Sequence, residues 1–180
     1  MIFPNTLENK LGVDQIRLRL KSYCLSVAGA EWVDRMRFSA DADFIKILLR
    51  QNLEFRQILE KSETFPSQHF FDGEDWLKRI SLEGNYLEAE EFLKLSQALD
   101  TILACKNFLV KTKEIYPQLH QLAELVSVTS ELPQVIRAKI DDRGTVKDAA
   151  SPELGRIRKK LRDEQSRLRK LADQLFLNAV

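Results

Sequence analysis

A chain of 180 residues, 44% apolar and 31% charged, has room for one domain or one and a half and can bury roughly 70% of its unfolded surface. Its formal net charge of +1 argues against a basic nucleic-acid footprint spread over the whole domain. Cys24 and Cys105 have no ligand-like neighbours and form no C-x-x-C pattern, which reads as reduced thiols in a cytoplasmic protein. No signal-peptide pattern or apolar run of membrane length occurs, so no membrane partner is expected.

Taken in order, the periodicity predicts helices almost throughout. Residues 5–11 form a short helix ended by Gly12. Val13, Ile16, Leu20 and Tyr23 follow at helical spacing, with Asp14, Arg17, Arg19 and Lys21 on the other faces. Ser26 caps a third helix carrying Trp32, Val33 and Met36, and Ala28 and Gly29 leave room there for a neighbouring helix. Ser39 or Asp41 starts a longer helix through about Lys61, with Phe44, Leu48, Phe55 and Leu59 inward.

Thr64 to Gly73 is a loop, with Phe70 and Phe71 as its expected anchors. A short helix spans Trp76 to Ile80, and a second long one spans 88–111 with Phe92, Leu95, Leu99, Ile102 and Leu109 on one face. Two shorter helices, Tyr116 to Leu125 and Leu132 to Ile140, are separated by a Ser/Thr-rich loop. Trp32, Phe44, Phe55, Trp76 and Phe92 fall on apolar faces and read as core. Strand signals are nearly absent; Thr145-Val146 beside Gly144 makes at most one short β-bridge near residues 140–147. The fold class is therefore all-α, a multi-helix core with one long C-terminal helix. The expected division is a helical core over 1–150 and the start of a lever helix over 151–180.

The start of that last helix is its best-specified part. Asp141, Asp142 and Arg143 lead into Gly144, a turn composition. Asp148 then precedes Ser151, Pro152 and Glu153. A serine oxygen caps free amides, proline at the first position loses no bond, and a glutamate meets the positive end of the helix dipole. Leu154, Ile157, Leu161, Leu168, Leu171 and Leu175 are spaced 3, 4, 7, 3 and 4, a heptad seam interrupted by Glu164. Its later members, Leu161, Leu168, Leu171 and Leu175, are expected to be exposed. With no glycine, proline or other stop signal at the end, the sequence reads as one that continues past Val180.

No G-x-x-x-x-G-K-[ST] phosphate loop occurs. His69 and His120 are far apart, and His120 is expected on a helix surface. Asp141, Asp142 and Asp148 could be read as a cation site, but a solvated turn with one backbone-capping aspartate explains them more simply. No catalytic, metal or cofactor residue is assigned. Between Glu153 and Lys170, eight basic residues stand against three acids. Such density can neutralise phosphates, and Arg158, Lys159, Arg162 and Arg169 are the candidate nucleic-acid contacts. The cations nevertheless surround the seam instead of forming one stripe, which favours a solvated exterior.

The run G-T-V-K-D-A-A-S-P-E-L-G-R-I-R-K-K-L, Gly144 to Leu161, resembles the core-to-lever junction of the MutS family. It is closest to the bacterial branch of MutS paralogues without the mismatch-reading domain, here MutS-II. L-E-N-K-L-G-V-D-Q-I at Leu7 to Ile16, S-V-A-G at Ser26 to Gly29, L-L-R-Q-N-L-E-F-R-Q-I-L at Leu48 to Leu59 and E-G-N-Y-L at Glu83 to Leu87 agree with it. The resemblance spans nearly the whole chain and is most specific at Lys147 to Arg158.

It implies the N-terminal core and ascending lever of a homodimeric ATPase that uses ATP and Mg and acts on DNA in repair and recombination. The family's roles include recognition of branched DNA with endonuclease activity, and rescue of collided ribosomes. The clamp, ATPase and nuclease domains would lie outside this sequence, and in such a parent a returning lever helix could cover the seam. The role implied for this stretch is mechanical and non-catalytic. The rival reading is a self-contained helical interaction module that pairs through its last helix.

Overall fold

The computed structural model describes residues 7–61 and 64–178, the side chains of 175–178 excepted. Among the described residues there are nine α-helices, one 3-10 turn and no strand. Two compact units form. The first takes residues up to Tyr86 together with Gln97–Ser130; the second takes Leu87–Ser96 and the chain from Glu131 onward.

In the first unit, α1 (Leu7–Lys10) and α2 (Val13–Ser22) meet at Gly12, whose φ of 74° suits a residue without a Cβ. Arg17 ties this corner, donating to Glu8 Oε2 at 2.8 Å and to the Met36 carbonyl at 2.9 Å. α3 (Val27–Arg35) starts on Ser26, whose hydroxyl accepts the Gly29 amide at 3.1 Å. The atoms nearest to where a Cβ would stand at Gly29 belong to that cap and to Cys24, at 3.3 and 3.6 Å. α4 (Ala42–Glu60) starts on Asp41, whose Oδ1 accepts the amides of Asp43 and Phe44, each at 3.0 Å. α5 spans Glu74–Ile80.

The centre of this unit is Ile58, Tyr116 and Leu119, with Phe65, Phe108 and Leu109 packed against them. α4 lies on α7 (Pro117–Glu124). The N-cap residue of α7, Tyr116, makes no side-chain cap, and Pro117 stands at the first helical position. Glu54 of α4 supplies the cap, its two oxygens accepting the amides of Gln118 at 3.1 Å and Leu119 at 2.8 Å. The 64–73 loop is anchored by Phe65, edge-on to Phe55 and Phe108 at 5.2 and 5.4 Å. Thr101 donates to the Gln68 carbonyl and Cys105 to that of Pro66, so α6 (Ala89–Lys111) holds the loop through small polar groups. Phe70 and Phe71, the expected anchors, remain partly exposed.

The aromatic core expected from periodicity is corrected in the same way. Trp32 is 68% exposed beneath the Arg35 guanidinium, and Phe44 and Phe55 are 49% and 38% exposed. On α4 the buried side chain is Ile58, not Phe44, Leu48 or Leu59. Amphipathic spacing identifies an apolar face; burial also requires a second element to cover it, and on α4 that element is α7. His120 is corrected as well: its side chain is 19% exposed, with Nε2 3.3 Å from Glu124.

The second unit contains the opening turns of α6, α8 (Glu131–Lys139), a 3-10 turn (Asp148–Ala150) and α9 (Pro152–Asn178). Leu87, Pro133, Ile136 and Ile140 are buried in it, and Ser96 donates to the Pro133 carbonyl at 3.4 Å. The short bridge expected near 140–147 is Ile140 paired antiparallel with Val146.

Candidate functional site: the root of the long helix

The turn between Ile140 and Val146 is built around Asp141. Its carboxylate accepts the amides of Arg143 and Thr145, each at 2.9 Å, the local backbone-capping arrangement that explains an aspartate there without a cation. The Thr145 amide, then that of Arg143, holds the Asp141 carboxyl below the usual carboxylate range. Gly144 has φ 74°, and a Cβ there would lie 2.9 Å from Glu90 Cγ and 3.2 Å from Glu90 Cα. The turn therefore requires glycine twice, for its backbone angle and for its approach to α6.

Past the bridge the chain is fastened back onto α8. The Lys147 amide donates to the Lys139 carbonyl at 2.8 Å. Lys147 Nζ donates to the Arg137 carbonyl at 2.6 Å, and Lys139 Nζ to that of Ala150 at 2.7 Å. These lysines satisfy carbonyls at a helix end and at the 3-10 turn.

α9 then begins at Pro152. The Ser151 hydroxyl accepts the Leu154 amide at 3.1 Å, Pro152 is the first helical residue and Glu153 lies in the first turn. Gly155 lets α9 pass close to the 3-10 turn; a Cβ there would stand 3.0 Å from the Asp148 carbonyl oxygen.

Asp148 joins the two. Its Oδ1 accepts from Arg158 and its Oδ2 from Arg162, both at 2.9 Å. Arg158 also donates to the Val146 carbonyl at 2.6 Å, so one guanidinium spans the bridge, the 3-10 turn and the helix. The hydrogen bond from Arg158, followed by that from Arg162, holds the Asp148 carboxyl below its ordinary range. The arrangement fixes the direction in which α9 leaves its unit.

Of the four candidate nucleic-acid contacts, Arg158 and Arg162 are thus engaged by Asp148, while Lys159 and Arg169 stand exposed. Sequence reasoning found Asp148 as part of the start motif but not its partners, 10 and 14 residues onward. The spacing of Arg158 and Arg162, one turn apart, was the available signal. Along the seam, Leu154 is half-buried, while Ile157, Leu161, Leu168 and Leu171 are 55%, 56%, 66% and 55% exposed. The Leu175 side chain lies outside the described residues. Among the described residues no group of three or more His, Cys, Asp or Glu side chains is placed to hold a metal ion. No helix among them is long and apolar enough to cross a membrane.

No family model matches the chain. Individual proteins do. The chain is 28% identical over 167 residues to Endonuclease MutS2 of Aquifex aeolicus (strain VF5), covering 93% of this chain and 22% of that protein. It is 28% identical over 173 residues to Endonuclease MutS2 of Exiguobacterium sibiricum, covering 93% and 22%. It is 30% identical over 158 residues to Putative endonuclease MutS2 of Bacillus subtilis (strain 168), covering 86% and 20%. The chain therefore spans about a fifth of the length of the curated relatives it matches. Over nearly all of its own length it is similar to proteins named MutS2 endonucleases, which supports its relation to the MutS-related family.

Proposed function

We propose that this chain is the N-terminal core and lever part of a MutS-II-like, DNA-acting ATPase in the control of repair and recombination. Its own role is mechanical and non-catalytic. The carrying observation is the root of α9, where Asp148, Arg158 and Arg162 lock a long helix onto the turn that launches it. A helix held at its base transmits angular displacement, which is what a link between a clamp and an ATPase must do. The similarity to MutS2 endonucleases over 93% of the chain supports the same assignment.

On this reading the parent is a cytoplasmic homodimer that binds ATP and Mg and acts as an endonuclease on branched DNA. Rescue of collided ribosomes is a second role consistent with the family. The basic exterior of α9 is its candidate nucleic-acid contact. The exposure of Leu161, Leu168 and Leu171 also supports a second reading, a helical module that pairs with a partner helix.

The reading frame beyond Val180 separates the two. Continuation into a G-x-x-x-x-G-K-[ST] motif supports the ATPase; a stop codon near Val180 supports the module. The 180-residue chain itself is expected neither to hydrolyse nucleoside triphosphates nor to cut DNA. Turnover abolished by a point substitution within the chain would overturn its non-catalytic assignment.

A further inference from the structure

The cations of α9 lie on two different faces, and Asp148 engages only one. At 3.6 residues per turn, Arg158, Arg162 and Arg169 fall within roughly 40° of arc on one side of the leucine seam. Arg156, Lys159, Lys160, Arg167 and Lys170 fall within roughly 100° on the other side. On the first face, Arg158 and Arg162 are bound to Asp148. On the second, Arg167 pairs with Glu164 at 3.1 Å. Arg156, Lys159, Lys160 and Lys170 are exposed and form no ion pair with the described residues. The only acid on that arc is Asp163.

We infer that the face carrying Arg156, Lys159, Lys160 and Lys170 is the surface that meets the phosphate backbone of duplex DNA, and that Arg158 and Arg162 are reserved for holding the helix root. The inference rests on the nucleic-acid part of the function proposed above and assigns its residues. The stripe runs roughly 21 Å along the helix axis at 1.5 Å per residue. A DNA strand carries a phosphate about every 3.4 Å of axis, so the stripe spans about six phosphates. Its cations are mainly lysines, compact point charges on flexible stems, suited to neutralising phosphate without reading bases. Arg158 and Arg162 already have a carboxylate, and phosphate contact there would require giving it up.

The test is the salt dependence of binding of the 180-residue chain to a fluorescein-labelled duplex, followed by anisotropy. Two variants are compared: Arg156→Gln, Lys159→Gln, Lys160→Gln and Lys170→Gln combined, and Arg158→Gln with Arg162→Gln. Glutamine retains helix propensity, and circular dichroism verifies that both variants are folded. Each phosphate contact contributes about 0.9 to the slope of log K against log salt, so the four-residue variant should lose about 3–4 of that slope, and at least tenfold in affinity at low salt. The two-residue variant should keep its slope within about 1 and show faster amide exchange across residues 148–158. Loss of slope in the two-residue variant with retention in the four-residue variant would overturn the assignment and leave the nucleic-acid reading standing. Unchanged binding by both would overturn the stripe alone. No duplex binding by the unaltered chain at low salt would overturn the nucleic-acid reading of α9 itself, and the stripe with it.

Discussion

Arg158 donates to Asp148 at 2.9 Å from ten residues further along the chain, and the same guanidinium nitrogen holds the Val146 carbonyl. The pair is solvent-facing, so salt screens it. Asp148 is depressed in the folded chain by Arg158 and Arg162, so its stabilisation is present above the unfolded aspartate value, about 3.9. It is lost as pH falls through the lower folded value. Amide protection at residues 153–158, taken relative to the intrinsic exchange rate at each pH, should fall at acid pH and at high salt, and Asp148→Asn should remove most of both dependences. Protection in Asp148→Asn that still follows pH and salt as before would show that another group holds the root.

Ser151 contributes one cap, its hydroxyl accepting the Leu154 amide. Ser151→Ala should cost about 1 kcal/mol in denaturant unfolding. No measurable loss would mean that the first turn of α9 is satisfied without the hydroxyl.

Gly144 faces two constraints. Alanine there is strained at φ 74°, and its Cβ would press against the Glu90 backbone and stem. Gly144→Ala should destabilise by more than about 1 kcal/mol. Gly84, at φ 84° with open space around it, is the control: its alanine variant carries the backbone cost alone. Equal losses at the two positions would remove the close approach from the account.

Glu54 caps α7 across 64 residues of sequence. Glu54→Ala should cost about 1–3 kcal/mol, because two α7 amides lose a charged acceptor. Glu54→Gln should recover part of this, since its single carbonyl oxygen can still accept. Chemical shifts that move only within α4, with α7 unaffected, would contradict the capping role.

The exposed leucines of α9 should drive self-association of the isolated 180-residue chain, most simply as a two-fold antiparallel helix pair. Burying each fully gains roughly 1.5–3 kcal/mol. Leu168→Glu with Leu175→Glu should give a monomer with an intact core. Light scattering that shows a monomer for the unaltered chain from micromolar to millimolar concentration would reject this.

Local chain chemistry places most of the helices, the starts of α3 and α9 and the single bridge, and it leaves Ser39 and Asp41 as alternatives at α4, where Asp41 is the cap. Ser26, Asp41 and Ser151 are local acceptors, each within three residues of the amide it caps. Gly12 and Gly144 mark backbone angles that depend on no distant neighbour. Ser151 and Pro152 act within the first turn of α9 for the same local reason, whereas the partners of Asp148 lie ten and fourteen residues onward. Which apolar faces are covered depends on how the folded chain brings its helices together. Trp32 and Phe44 have the spacing of core residues and lie exposed, while Ile58 is fully buried because α7 lies on it. The same arrangement decides the distant polar partners, Glu54 with the α7 amides and Asp148 with Arg158 and Arg162. Periodicity and capping are properties of a segment and its immediate neighbours. Coverage of a face and the choice of a charge's partner depend on which segments the folded chain brings together.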